Sequence, residues 1–214
     1  MTAEATNDSA STAAVDNATM EKLEQLVASD PGNANTRYNL GLALAANSEW
    51  DRSLEEFKAA LKLKPGLLEA RVNIAGVLLQ QGDYDGCVEE SLRALEFRPN
   101  LIEACVNIGI AFTQKGLPDQ AVGSFEKALI IDPNSLVSHV NLGNIYLSLG
   151  NVEKSVEHNT KATEIKPDFG MAQNNLAVAL SQSDDLDGAR THARKALELE
   201  YPVSPEFLKE IGVE

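Results

Sequence analysis

Apolar residues recur along this chain in two kinds of helical stripe. In the first, Leu40, Gly41 and Leu44 stand at i, i+1 and i+4. The same spacing returns at Ile74, Ala75 and Leu78, at Ile108, Gly109 and Phe112, at Leu142, Gly143 and Tyr146, and at Leu176, Ala177 and Leu180. That pattern draws one face of an α-helix, with a small residue where a neighbouring helix must approach closely. The second stripe carries Phe57, Ala60 and Leu61, and again Phe125, Ala128 and Leu129. Between the two stripes lies Gly82, Gly116 or Gly150, a residue suited to a left-handed helix end. A proline after the second stripe stops the second helix.

The prolines also give the period. Pro31, Pro65, Pro99, Pro133 and Pro167 are each 34 residues apart, as are Ala60, Ala94, Ala128, Ala162 and Ala196, and Asn39, Asn73, Asn107, Asn141 and Asn175. Three residue types in one register mean stacked supersecondary units. Each unit is a helical hairpin that buries its apolar face only against a neighbour. The register predicts five full repeats, 34–67, 68–101, 102–135, 136–169 and 170–203. Upstream, 18–33 matches the second half of a repeat, with Leu23 and Leu26 on one face, and is predicted to cap the N-terminal end. Downstream, Ser204 and Pro205 are an N-cap and a first-turn proline, so 204–214 is predicted to be a short C-terminal capping helix. Residues 1–17, polar and rich in Ala, Thr and Asn, are expected to be a disordered tail.

These residues resemble the tetratricopeptide repeat: Asn-Leu-Gly in the first helix, Gly before the second, Ala-Leu late in it, then Pro. The likeness covers 34–203. It departs where the usual Trp is replaced by Arg37, Arg71, Cys105, His139 and Gln173, where Ser91 stands for a bulky aromatic, and where Asp184 and Tyr201 replace the turn glycine and the proline. The resemblance implies an all-α, right-handed superhelical solenoid of helix-turn-helix repeats whose first helices line a concave surface.

On a helical wheel the stripe opposite the buried set is the second, sixth, ninth and thirteenth residue of each repeat. It reads Asn35, Asn39, Leu42, Ala46; Glu69, Asn73, Gly76, Gln80; Glu103, Asn107, Ile110, Gln114; Val137, Asn141, Asn144, Ser148; and Met171, Asn175, Val178, Gln182. Two charges in twenty residues is few for a chain that is 23% charged, and an uncharged, partly apolar exposed surface points to binding. The five asparagines sharpen this. Asn costs roughly 0.6 kcal/mol against Ala inside a helix, while its carboxamide offers a donor and an acceptor to a peptide group. The Asn-Leu-Gly segments are similar to the repeats of O-GlcNAc transferase, which carry such an asparagine ladder. The 214 residues hold no glycosyltransferase domain, so only a binding surface is implied. The candidate groove is Asn39, Asn73, Asn107, Asn141 and Asn175 with Asn144, Gln80, Gln114, Glu69 and Glu103. Tyr38, Val72, Val106 and Val140 are expected to form shallow apolar pockets beside it. The alternative for the asparagines is a structural bridge between adjacent repeats.

Charge narrows the partner. The formal net charge is −14, with 32 acidic against 18 basic residues, which disfavours nucleic acid and anionic lipid. The stripe lacks Lys and Arg, so a neutral or mildly basic peptide is expected rather than an acidic tail. Arg37 and Arg71 fall on the packed side of the wheel. No apolar run reaches membrane-helix length, the N-terminus lacks the features of a secretory signal, and a cytoplasmic location is expected. Cys87 and Cys105 read as buried thiols. His158 and His192, 34 apart, are expected to neighbour one another on adjacent second helices, too few for zinc. No nucleotide, nucleophile-elbow or zinc-protease motif occurs. The expectation is a monomeric protein-binding scaffold, not an enzyme, with no cofactor or metal. A self-assembling scaffold and a regulatory or assembly subunit of an enzyme complex are the alternatives.

Overall fold

A computed structural model describes residues 14–213, and among them it holds twelve α-helices and no strand. In order these are α1 (Asn17–Ser29), α2 (Ala34–Ala46), α3 (Trp50–Leu63), α4 (Leu68–Gln80), α5 (Tyr84–Phe97), α6 (Ile102–Gln114), α7 (Pro118–Ile131), α8 (Leu136–Ser148), α9 (Val152–Ile165), α10 (Gly170–Gln182), α11 (Leu186–Glu198) and α12 (Pro205–Ile211). Most of the tail expected over 1–17 lies outside the described residues. Its last residue is not tail: Asp16 caps α1 by accepting from Thr19 N–H, and Asn17 opens the helix. The helices form helix-turn-helix repeats. They fall into two compact units that divide after Ser124, within α7.

One turn geometry recurs between first and second helices. The residue after the first helix's C-cap is left-handed, at Ser48, Gly82, Gly116, Gly150 and Asp184. The next N–H then reaches back across the turn, as Glu49 does to Leu44 O at 2.9 Å and Asp83 to Leu78 O at 2.9 Å. This hydrogen bond satisfies a carbonyl that the ending helix leaves open. Gly takes that conformation without steric cost, whereas Ser48 and Asp184 hold it against their own Cβ. Asp83, Asn151 and Asp185 start the second helices by accepting from the N–H three residues on.

In the N-terminal unit, Leu54, Phe57, Ala60, Leu67, Ala70, Ile74 and Val77 form one core cluster. Met20, Leu40, Ala43 and Leu44 form another, under α1. In the C-terminal unit, Val140, Ala162 and Ala172 pack together. Ala177, Ala189 and Ala193 are covered by Ile211 and Val213, so α12 closes that end. Ala60, Ala94, Ala128, Ala162 and Ala196 are all completely buried, a reason for their strict period, since a larger side chain would overpack the site.

The small residue of the first helix is matched to its partner in the second. Gly41 lies against the ring of Phe57: a Cβ there would meet two ring carbons at 2.7 Å. Gly143 lies against Asn159 in the same way, at 2.5 Å. Where the first helix carries Ala, at Ala75 and Ala177, the residue sixteen further on is small, Ser91 and Ala193. The matched pairs share one fixed space, divided differently in each repeat.

Candidate functional site

Three first helices, α2, α4 and α6, pack in succession in the N-terminal unit and carry the first half of the candidate groove. Asn39 is exposed and makes no hydrogen bond to a described residue. Leu42, one turn on, is also exposed. Asn73 is half-buried and donates through Nδ2 to the Tyr38 hydroxyl at 3.0 Å. Burial pushes the Tyr38 phenol above its ordinary value, with this bond working against the shift. Asn107 is buried, its Nδ2 at 3.5 Å from Val72 O, a contact at the limit of hydrogen-bond length. Asn73 and Asn107 each point back to the preceding repeat. Glu69, Glu103, Gln80 and Gln114 are exposed, and Glu69 is 4.0 Å from Arg98.

In the C-terminal unit, Asn141 is buried and donates to Val137 O in its own helix at 2.8 Å. Asn175 and Asn144 are half-buried, and Nδ2 of Asn175 is enclosed without a partner. The wheel puts all five asparagines on one stripe, but their surroundings differ. Asn39 meets solvent, Asn73 bridges, and Asn107 and Asn141 are covered. The expected apolar pockets change as well. Tyr38 and Val72 are half-exposed, while Val106 and Val140 are buried, Val140 within a core cluster. That position lies on the wheel between the stripe and the core, so neighbouring packing decides its exposure.

The structure also brings together residues that the sequence reading left apart. The fourth residue of a repeat meets a partner nineteen residues on, in the second helix. Arg37 pairs with Glu56 at 2.8 Å and Arg71 with Glu90 at 2.7 Å. His139 faces His158 at 3.0 Å, and His192 lies 2.7 Å from Gln173 Oε1. The same residue often reaches back to the proline carbonyl of the preceding turn: Arg37 to Pro31, His139 to Pro133 and Gln173 to Pro167. Polar groups thus replace the missing aromatic with a latch that ties first helix, second helix and preceding turn. The expected neighbourhood of His158 and His192 gives way to these pairings. A signal was present in the opposite charges nineteen apart in the first two repeats.

Tetratricopeptide repeat models match residues 21–67 and 38–101, 104–136, 124–157 and 170–199, together most of the chain. The chain belongs to the tetratricopeptide repeat family. No curated protein matches the sequence. Among solved structures, this tetratricopeptide repeat protein is similar to PilF of Pseudomonas aeruginosa, at 19% identity and TM-score 0.77, covering 92% of this chain and 91% of that one. It is similar to MamA of Desulfovibrio magneticus RS-1, at 22% identity and TM-score 0.68, covering 78% and 94%. It is also similar to YrrB, described as a tetratricopeptide repeat protein with an unusual peptide-binding site, at 17% identity and TM-score 0.63, covering 85% and 93%. At these identities the likeness shows the fold. Tetratricopeptide repeat proteins generally mediate protein–protein interaction. No described helix is long and apolar enough to cross a membrane.

Proposed function

We propose that this protein is a protein-interaction adaptor whose first-helix stripe holds an extended segment of a partner. The observation that carries the reading is in the N-terminal unit. There Asn39 and Leu42 lie exposed together, with a carboxamide free to bond at Asn39. The stripe's charges in this unit are the exposed Glu69 and Glu103, with no Lys or Arg. A carboxamide beside an apolar side chain suits a peptide backbone with a small apolar residue, and the two carboxylates favour a neutral or mildly basic segment over an acidic one. The peptide-binding site named for YrrB, a protein of similar fold, supports this, as does the ladder resemblance to O-GlcNAc transferase repeats. In this reading the chain works as a monomer in the cytoplasm and lends no catalytic group.

The test is co-purification from the native host with the wild type and two variants of confirmed helicity. Asn39→Ala/Leu42→Asp alters the first-helix stripe, and Leu92→Asp/Phe97→Asp alters exposed apolar residues of α5. Loss of a partner with the first variant alone supports the stripe. Loss with the second alone places binding on the second helices and defeats the proposal.

A further inference from the structure

All three histidines of the sequence, His139, His158 and His192, lie in the C-terminal unit. Two of them face each other. His139 Nδ1 and His158 Nδ1 are 3.0 Å apart while the ring centroids are 5.3 Å apart, so the two nitrogens point at one another along one axis. Such an axis holds a single proton, one nitrogen donating and the other accepting. His139 Nε2 lies 3.1 Å from the Pro133 carbonyl, which only accepts. Neutral His139 therefore carries its proton on Nε2 and presents a lone pair at Nδ1, to which His158 donates. Ligands of a metal ion would have to converge on a third point, and these do not. Among the described residues no three His, Cys, Asp or Glu side chains are grouped to hold one.

We propose that the His139–His158 pair is an acid-sensitive latch, closing α8 onto α9 and onto the Pro133 turn near neutral pH and opening when it takes a second proton. The first added proton goes to the lone pair at His158 Nε2, so the axial N–H still donates to His139 Nδ1 and the contact stays intact. The second sets N–H against N–H and places two cations side by side. Burial, then the neighbouring His139, hold His158 below the ordinary histidine value. The unfolded chain takes both protons near the ordinary value of about 6.5, while the folded pair resists the second. The unfolded state therefore binds more protons below that pH, so the latch's stability is complete above about 6.5 and falls as the pH falls.

The surroundings do not cancel this effect. Within α8 no other residue is charged. On α9, Glu157 and Lys154 act on His158 with opposite sign, and Lys161 pairs with Glu164. Glu126 of α7, which accepts from the Tyr146 hydroxyl, favours the charged form by its charge. The packed face of α10 has no titratable residue. His192 is also held low by burial, but its Nδ1 donates to Gln173 in either protonation state, so that latch stays closed. The latches of the first two repeats are Arg37–Glu56 and Arg71–Glu90 and contain no histidine. An open depression of about 460 Å³ beside the pair, lined by Pro133, Glu157, Thr160, Lys161 and Glu164, gives the His158 ring room to turn.

Hydrogen exchange of the full chain at pH 7.5 and 5.0, corrected for intrinsic rates, tests the latch. In the wild type, α8 and α9 should lose several-fold more protection on acidification than α2 to α5, because the fold withholds the second proton from the pair. In His158→Gln, where a carboxamide donates to His139 and only one imidazole remains, the difference should vanish. His139→Arg/His158→Glu, which installs the pair of the first two repeats, should behave likewise. Unchanged wild-type protection at pH 5.0, or a loss in His158→Gln equal to that of the wild type, overturns the proposal.

Discussion

The match between Gly41 and Phe57 makes a sharp demand on energetics. A methyl group at Gly41 would stand 2.7 Å from two ring carbons and 3.2 Å from a third, and Phe57 is completely buried, so the ring has no open side to move toward. Overpacking of this kind costs about 1–3 kcal/mol, against about 1 kcal/mol regained from replacing a mid-helix glycine with alanine. Gly41→Ala should therefore destabilise the chain by about 1 kcal/mol. Phe57→Ala opens a cavity and should cost about 3–5 kcal/mol. In that background the obstructing ring is gone, and Gly41→Ala should instead stabilise by about 1 kcal/mol from helix propensity, with a little more from filling space. The two substitutions should thus be coupled by about 2–3 kcal/mol, with a change of sign in the effect of Gly41→Ala. Urea denaturation of the four proteins, followed by helical circular dichroism with the slopes compared, measures the cycle. If Gly41→Ala has the same effect in both backgrounds to within about 0.5 kcal/mol, the shared-space account of the repeat is wrong.

Asn159 fills the equivalent place under Gly143 with its Oδ1 buried and unpartnered. Asn159→Leu keeps the branched outline without the unmet acceptor and should stabilise by about 1–2 kcal/mol, read as a higher urea midpoint. Asn47 holds the chain ahead of α1 by accepting from Val15 N–H at 2.7 Å and donating to Val15 O at 3.0 Å. Asn47→Ala should cost about 1–2 kcal/mol and speed hydrogen exchange in α1 while leaving α8 to α11 unchanged. Cys87 is completely enclosed, its Sγ at 3.7 Å from Asn107 O, and burial pushes its thiol up to about 11. A disulfide reagent at pH 8 should modify it only through opening of the fold, so its labelling rate should rise with sub-denaturing urea. Labelling that is fast and independent of urea would contradict this burial.

The period, the helices and the turns were legible because each rests on local chemistry repeated in one register. Pro, Gly and fully enclosed Ala have few substitutes at their places, so they return every 34 residues. The fold was readable even at Ser48 and Asp184, where a non-glycine residue takes the left-handed turn. The latch was harder to see because its chemistry changes from repeat to repeat, as Arg–Glu, His–His and Gln–His, and only the nineteen-residue spacing stays constant. Exposure along the ladder was least legible. A wheel gives direction from one helix axis, whereas the covering of Asn107 and Asn141 and the openness of Asn39 depend on which other side chains stand nearby.

That difference bears on why the asparagines are there. An Asn inside a helix costs roughly 0.6 kcal/mol relative to Ala, and one net hydrogen bond returns about 1 kcal/mol. Asn73 makes a well-formed bond to the preceding repeat, so fold stability alone accounts for it. Asn39 has no such account. Among the described residues its repeat is preceded by α1, and no described first helix stands where Tyr38 stands for Asn73, so its carboxamide is left to solvent. Asn175 has an enclosed Nδ2 with nothing to donate to, so bridging explains it no better. If the ladder were purely structural, Asn39 would be its dispensable rung, and Asn39→Ala would stabilise helix α2 slightly with no other consequence. In the binding reading the same substitution stabilises the helix yet weakens partner capture. Stability and binding move in opposite directions there, whereas at Asn73 one substitution would lower both and leave the two accounts indistinguishable.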